Sequence, residues 1–157
     1  MNNKEKIVGF AGHRNLWDNV GIEKVLEKNI IELIEKGYTV FYCGGKGYFD
    51  KLSCNIVLKL KKIYPQIKVF EILSQYNEKL VLSPRFDGSI YPDLETCHFK
   101  ARITKRNQWI VDNIDLLVCY VHHTYKSGAF KTVKYARENG KPIIYLEKPQ
   151  DTKKWPK

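Results

Sequence analysis

Three short turns, Gly12-His13-Arg14, Gly44-Gly45-Lys46-Gly47 and Ser127-Gly128-Ala129, each follow an apolar, β-branched run that reads as a strand. The chemistry such turns offer is anion binding, because glycine lets the backbone approach a ligand and the first N–H groups of a following helix have no partner within it. In the first turn Gly12 either serves the turn alone or admits a phosphate, and Arg14 either faces water or presents a planar fork of donors beside His13. In the second, Gly44, Gly45 and Gly47 match neither G-x-G-x-x-G nor a P-loop, and they offer a flexible turn leading into a helix N-terminus. Asp50, in the first turn of that helix, either caps it or meets a ribose hydroxyl. In the third turn Ser127 can cap the next helix while the amides of Gly128 and Ala129 hold a phosphate; Thr132 lines the pocket or solvates the helix.

Two further residues belong with these turns. Arg106 and Asn107 stand in a helical segment whose apolar stripe, Ile103, Ile110 and Ile114, is interrupted by Asn107. A polar residue on an inward stripe bonds either to backbone near a strand end or to a ligand. The basic run from Lys100 to Arg106 is the dense cationic cluster outside the tail and could meet phosphate. Asp112 and Asp115 are read as ending that helix and starting the next strand. Cys119-x-x-His122-His123, with Cys97-His98, is the one arrangement with a metallic look, but nothing repeats at zinc-site spacing, so no metal is expected. The four cysteines are read as reduced, buried thiols.

The elements that must position these groups alternate. Strands are expected at Lys6–Ala11, Tyr38–Cys43, Ile67–Leu73, Asp115–Val121 and Pro142–Leu146. Helices are expected at Gly21–Lys36, where Ile22, Val25, Leu26, Ile30, Leu33 and Ile34 recur at three- and four-residue intervals, from Phe49 to Ile63, from Phe99 to Asn113, and from Gly128 to Asn139. Ser74 to His98 shows no sustained period and is read as a long loop. Short connections between alternating strands and helices imply right-handed crossovers. The fold class is therefore α/β: a Rossmann-like, doubly wound, mainly parallel five-stranded sheet with helices on both faces. Residues 1–148 form a single domain and residues 149–157 a polar, basic tail. Ligands of such sheets bind outside the carboxyl ends of the strands, where the strand order reverses, and all three turns lie at carboxyl ends.

The 157 residues suit one domain, and 43% hydrophobic with 28% charged residues is ordinary globular usage. No apolar run approaches the ~18 residues of a membrane span and the first residues are polar, so a soluble, cytoplasmic protein with no membrane partner is expected. The net charge of +10 is spread over helix faces, as at Lys59, Lys61 and Lys62. Aromatic and basic residues do not alternate as on a single-strand platform, so nucleic acid is not the expected partner. Trp17, Trp109 and Trp155 either cover an interface in a homo-oligomer or lie in the core.

Taken in order and in relation to the strands, Gly12-His13-Arg14, Gly44-Gly45-Lys46-Gly47, Arg106-Asn107-Gln108-Trp109-Ile110-Val111-Asp112 and Ser127-Gly128-Ala129 with Thr132 resemble the YpsA-like branch of the SLOG superfamily. That Rossmann-like group also contains LOG-type phosphoribohydrolases and DprA-type DNA-binding proteins, and the resemblance runs from about Lys6 to Leu146. It implies a nucleotide or nucleotide-derived small molecule at the carboxyl edge, held by a sensor or carrier. LOG enzymes use an Arg-Lys pair and a Gly-Gly-x-Gly-Thr-x-x-Glu pattern whose glutamate is catalytic. This chain has Asn107 after Arg106, and Ser-Gly-Ala-Phe-Lys-Thr-Val-Lys, so the glutamate position falls on Lys131 or Lys134, and its neighbour on Thr132 or Tyr135. Glycoside cleavage needs carboxylate help that a lysine cannot supply. The expected role is binding without catalytic residues and without a further cofactor. LOG-like hydrolysis or transfer, with Asp50, Asp87, Asp93 or Glu95 as substitute acids, and DprA-like DNA binding are the alternatives.

Overall fold

The computed structural model describes residues 4–13, 21–44, 47–76, 85–121 and 128–146. The tail and the segments carrying Arg14, Trp17, Gly45, Lys46, His122, His123, Ser127 and Trp155 lie outside the described residues.

In chain order the elements are β1 (Lys6–Gly12), α1 (Ile22–Glu35), β2 (Tyr38–Cys43), α2 (Tyr48–Lys61), β3 (Lys68–Ile72), β4 (Gly88–Ile90), a 3-10 turn (Phe99–Ala101), α3 (Arg102–Asn113), β5 (Leu116–Tyr120), α4 (Gly128–Glu138) and β6 (Ile143–Tyr145). The strands form one sheet in the order β4-β3-β2-β1-β5-β6, and every neighbouring pair is parallel. This is the expected Rossmann-like α/β arrangement with one correction: the sheet has six strands, not five. The extra strand, β4, lies within the stretch read as loop. It is three residues long, too short to show a period of two, and it exists through its pairing with β3.

Each strand feeds two cores because successive side chains alternate between faces. From β5, Leu116, Val118 and Tyr120 enter one core with Val8, Phe10, Phe41 and the inner faces of α1 and α2. Leu117, Cys119 and Val121 enter the other, with Ile110, Val111 and Ile114 of α3 and Val133 and Ala136 of α4. All five β5 residues are buried, which is why that strand reads as a continuous apolar run. At Gly9 a Cβ would stand 3.0 Å from Ile110 and Ile114, so glycine lets α3 pack directly on β1. Asp115 stands immediately before β5 rather than in it: its carboxylate accepts the Ile7 N–H at 2.8 Å, and its own N–H donates to the Ile7 carbonyl at 2.8 Å.

Candidate functional site

The strand order reverses between β1 and β5, whose last residues, Gly12 and Tyr120, stand side by side. The helices that come next in the chain, α1 and α4, pack on opposite faces of the sheet, the arrangement that in open α/β sheets sets a ligand crevice at the carboxyl rim. On the α1–α2 side of this point lies Phe49, fully buried, with its ring 6.5 Å from that of Tyr120. A Cβ at Gly12 would stand 2.2 Å from Phe49 Cγ. Gly12 is thus glycine because α2 presses an aromatic ring against the end of β1. His13 follows, only 4% exposed.

The second turn begins at Gly44, and its outcome is decided by Arg106. This side chain of α3 is 1% exposed, and its Nη1 donates to the carbonyls of Gly44 at 2.7 Å and Ile72 at 3.2 Å. Its Nε donates to Asn107 Oδ1 at 3.0 Å. The guanidinium therefore ties the carboxyl ends of β2 and β3 together from beneath the rim. Burial pulls its pKa below the ordinary arginine value, and the Asp50 carboxylate pushes it partly back; an arginine remains charged even so. A Cβ on Gly44 would lie 3.0 Å from Nη1, so the glycine makes room for this cation. Gly47, with φ 88°, occupies a backbone region that favours glycine and turns the chain into α2, placing Asp50 in the first turn.

Asn107, read from spacing as the inward polar residue, is half-buried and engages Arg106; Ile103 is 36% exposed. The inward face of α3 runs instead through Arg106, Ile110 and Val111. A charged residue is read as solvent-facing in a linear chain, and here two distant strand ends supply the carbonyls that make its burial tolerable.

On the opposite face of the sheet, α4 opens at Gly128, which is exposed; no described atom comes within 4 Å of where its Cβ would stand. Ala129 is half-buried, and Thr132 is buried with its hydroxyl donating to the Gly128 carbonyl at 3.1 Å. The rim thus gathers Gly12, His13, Gly44, Gly47 and Asp50 near the start of α2, with Arg106 and Asn107 below them. Gly128, Ala129 and Thr132 start α4 across the switch point. Phe49, Tyr120 and the Ile72 carbonyl were not singled out in the sequence; their apolar spacing marks only core.

Of the carboxylates that could substitute for a catalytic glutamate, Asp87 and Glu95 are engaged with the protein itself. Asp87 lies before β4, at the amino end of that strand, and takes two hydrogen bonds from Lys61 at 2.7 and 2.8 Å and one from the Val69 N–H at 2.8 Å. Glu95 accepts the Tyr91 hydroxyl at 2.8 Å and lies 3.8 Å from Arg102. Within α4 the one carboxylate is Glu138 in the last turn; Lys131 and Lys134 are exposed, and the Tyr135 hydroxyl donates to Asp112 at 2.8 Å. Among the described residues no group of three or more His, Cys, Asp and Glu side chains could hold a metal, and no helix is long and apolar enough to cross a membrane. Cys97 and Cys119 remain separate thiols, half-buried and buried. Cys43 and Cys54 are hydrogen-bonded to each other, and that bond together with burial pushes the Cys43 thiol well up.

No protein-family model and no curated protein matches the sequence. Solved structures do match the fold. The molybdenum cofactor binding protein from the phototrophic bacterium Rippkaea orientalis superposes with a TM-score of 0.63 at 18% identity, over 92% of this chain and 77% of that one. The molybdenum cofactor carrier protein MCP from Chlamydomonas reinhardtii gives 0.57 at 16% identity, over 90% and 76%. A second structure of the Moco carrier protein from the same organism gives 0.54 at 17%, over 91% and 76%. At these identities the likeness is one of fold: this chain is built on the Rossmann-like framework that the molybdenum cofactor carrier and binding proteins share.

Proposed function

We propose that this chain binds a nucleotide-derived, anionic small molecule at the carboxyl rim beside the β1–β5 switch point and serves as its carrier or sensor. The observation that carries this reading is the start of α4 at the exposed Gly128, following the strand beside which the order reverses. A helix N-terminus there offers unpaired N–H groups and the positive end of the macrodipole. Ser127, Gly128, Ala129 and Thr132 would hold the phosphate. Gly12, His13, Arg14 and the turn of Gly44, Gly45 and Gly47 would close the other side, and Asp50 would meet a hydroxyl. Arg106, with Asn107 bonded to it, works from below: spent on the Gly44 and Ile72 carbonyls, it positions the second turn and leaves its charge beneath the rim. Catalytic residues are not part of the proposal, since the rim has no carboxylate on α4 where hydrolysis would need one.

The molybdenum cofactor is the first ligand to test, because the structural neighbours are described as its carriers or binding proteins. The resemblance of the turn motifs to the YpsA-like branch of the SLOG superfamily makes a nucleotide-derived ligand the second to test. Native mass spectrometry of freshly purified protein, followed by titration with molybdenum cofactor and with nucleoside monophosphates, tests both. A retained or added ligand lost in Gly128→Pro is expected; the mass difference between loaded and unloaded species identifies it, and the mass of the intact assembly gives the subunit count. Release of free base or ribose phosphate from a nucleoside monophosphate by the wild-type protein would replace carriage with hydrolysis.

A further inference from the structure

A cavity of about 600 Å³ lies at the other end of α2, away from the carboxyl rim, lined by Asn55, Leu58, Lys59, Lys61 and Lys62 of that helix and its cap, and by Arg85 from the segment entering β4. Its volume is within the range, about 300–1,000 Å³, that holds small-molecule ligands. The lining is strongly cationic, and the cations differ in what they already do. Lys61 is spent on Asp87 and the Ile67 carbonyl, the latter at 2.8 Å, and Lys59 pairs with Glu27 at 3.2 Å. Among the described residues Lys62 has no ion-pair partner, and Arg85 uses one donor, Nη2, on Asn55 Oδ1 at 3.1 Å, while its guanidinium lies 6.0 Å from the Phe86 ring centre.

Lysines in the last turn of a helix complement its dipole, which accounts for those of α2. It does not account for Arg85, which arrives from a segment more than twenty positions away and is braced by Asn55 against like charge. A concave surface with an excess of cations concentrates counter-charge, and two cations from separate elements, one hydrogen-bonded to Asn55, suit a compact anion. Leu58 gives the wall an apolar portion for the body that carries it.

We propose that this cavity is a second small-molecule site, selective for a phosphate monoester, with Lys62 and Arg85 as its cationic contacts. It is independent of the rim and stands whether or not the rim binds a cofactor. Backbone-amide NMR of the full chain, titrated separately with AMP, adenosine and inorganic phosphate, tests it. AMP is expected to shift Asn55, Leu58, Lys62 and Arg85 saturably, inorganic phosphate to shift the same amides more weakly, and adenosine to leave them in place. The Lys62→Gln, Arg85→Gln double variant is expected to weaken AMP by about tenfold with an unchanged thermal melt, because both side chains are exposed. AMP shifts confined to the residues around Gly12, Gly47 and Gly128 would overturn this site while favouring the rim. Equal binding of adenosine and AMP, or wild-type affinity in the double variant, would also overturn it. So would binding of single-stranded oligonucleotides that strengthens with every added phosphate, which would make the surface a polynucleotide track.

Discussion

Gly12 and Arg106 show how two residue types associated with phosphate contact can be committed to the protein itself. The ring of Phe49 occupies the space a side chain at position 12 would need, 2.2 Å from its Cβ, so Gly12→Ala forces α2 away from the end of β1. Overpacking of this kind is expected to lower stability by about 1–3 kcal/mol, measured as a shift in the urea midpoint at constant m. Arg106→Ala strips two strand-end carbonyls of a donor, at 2.7 and 3.2 Å, in a place where water has little access. Unfolding in urea is expected to show a loss of about 2–3 kcal/mol, whereas Lys105→Ala, on the exposed side of the same helix, changes stability by about 0.5 kcal/mol or less. Equal effects at positions 105 and 106 would contradict the clamp.

β4 illustrates an element made by its surroundings rather than by its own residues. Three residues pair with β3, and the strand is anchored at its amino end by Asp87, whose backbone N–H donates to the Val69 carbonyl at 2.9 Å while its carboxylate accepts from Val69 and Lys61. Burial pushes the Asp87 carboxyl up, but the hydrogen bonds from Lys61 and from the Val69 N–H outweigh it and hold the pKa below the ordinary aspartate value. With the folded pKa depressed, the stabilisation is present above the unfolded value, about 3.9, and is lost as pH falls through the lower folded value. Asp87→Asn is therefore expected to lower stability at neutral pH and to flatten the acid limb of the stability profile below about pH 4. A variant as acid-sensitive as the parent would remove Asp87 from that role.

The sheet as a whole separates two cores, and the thiols report that division. Cys119 of β5 is fully buried in the core shared with α3 and α4, and desolvation pushes its pKa to about 12. Cys43 is likewise buried and held in its protonated form by Cys54 and by desolvation, and Cys54 is 6% exposed; Cys97, before the 3-10 turn, is half-buried. A thiol reagent at pH 8 is therefore expected to modify Cys97 first in the native protein and all four thiols only in denaturant. Rapid native labelling of Cys119, located by peptide mass mapping, would show that the α3–α4 layer opens.

Much of this architecture was legible from neighbouring residues alone. The spacing of Ile22, Leu26, Ile30, Leu33 and Ile34, the β-branched run to Cys43 and the apolar run to Val121 record local geometry, because a 3.6-residue turn and a two-residue pleat repeat within a few positions. The carboxyl edge as the expected place for a ligand also follows from the alternation of strands and helices, together with the order of the glycine turns. Contacts between distant segments left no such record. Arg106 reaches carbonyls 62 and 34 positions away; Phe49 fills the space over Gly12; β4 exists only against β3. Those choices were made by packing: which charge goes inside, which strand completes the sheet, and which turn keeps its amides for a ligand depend on partners that a linear pattern does not name.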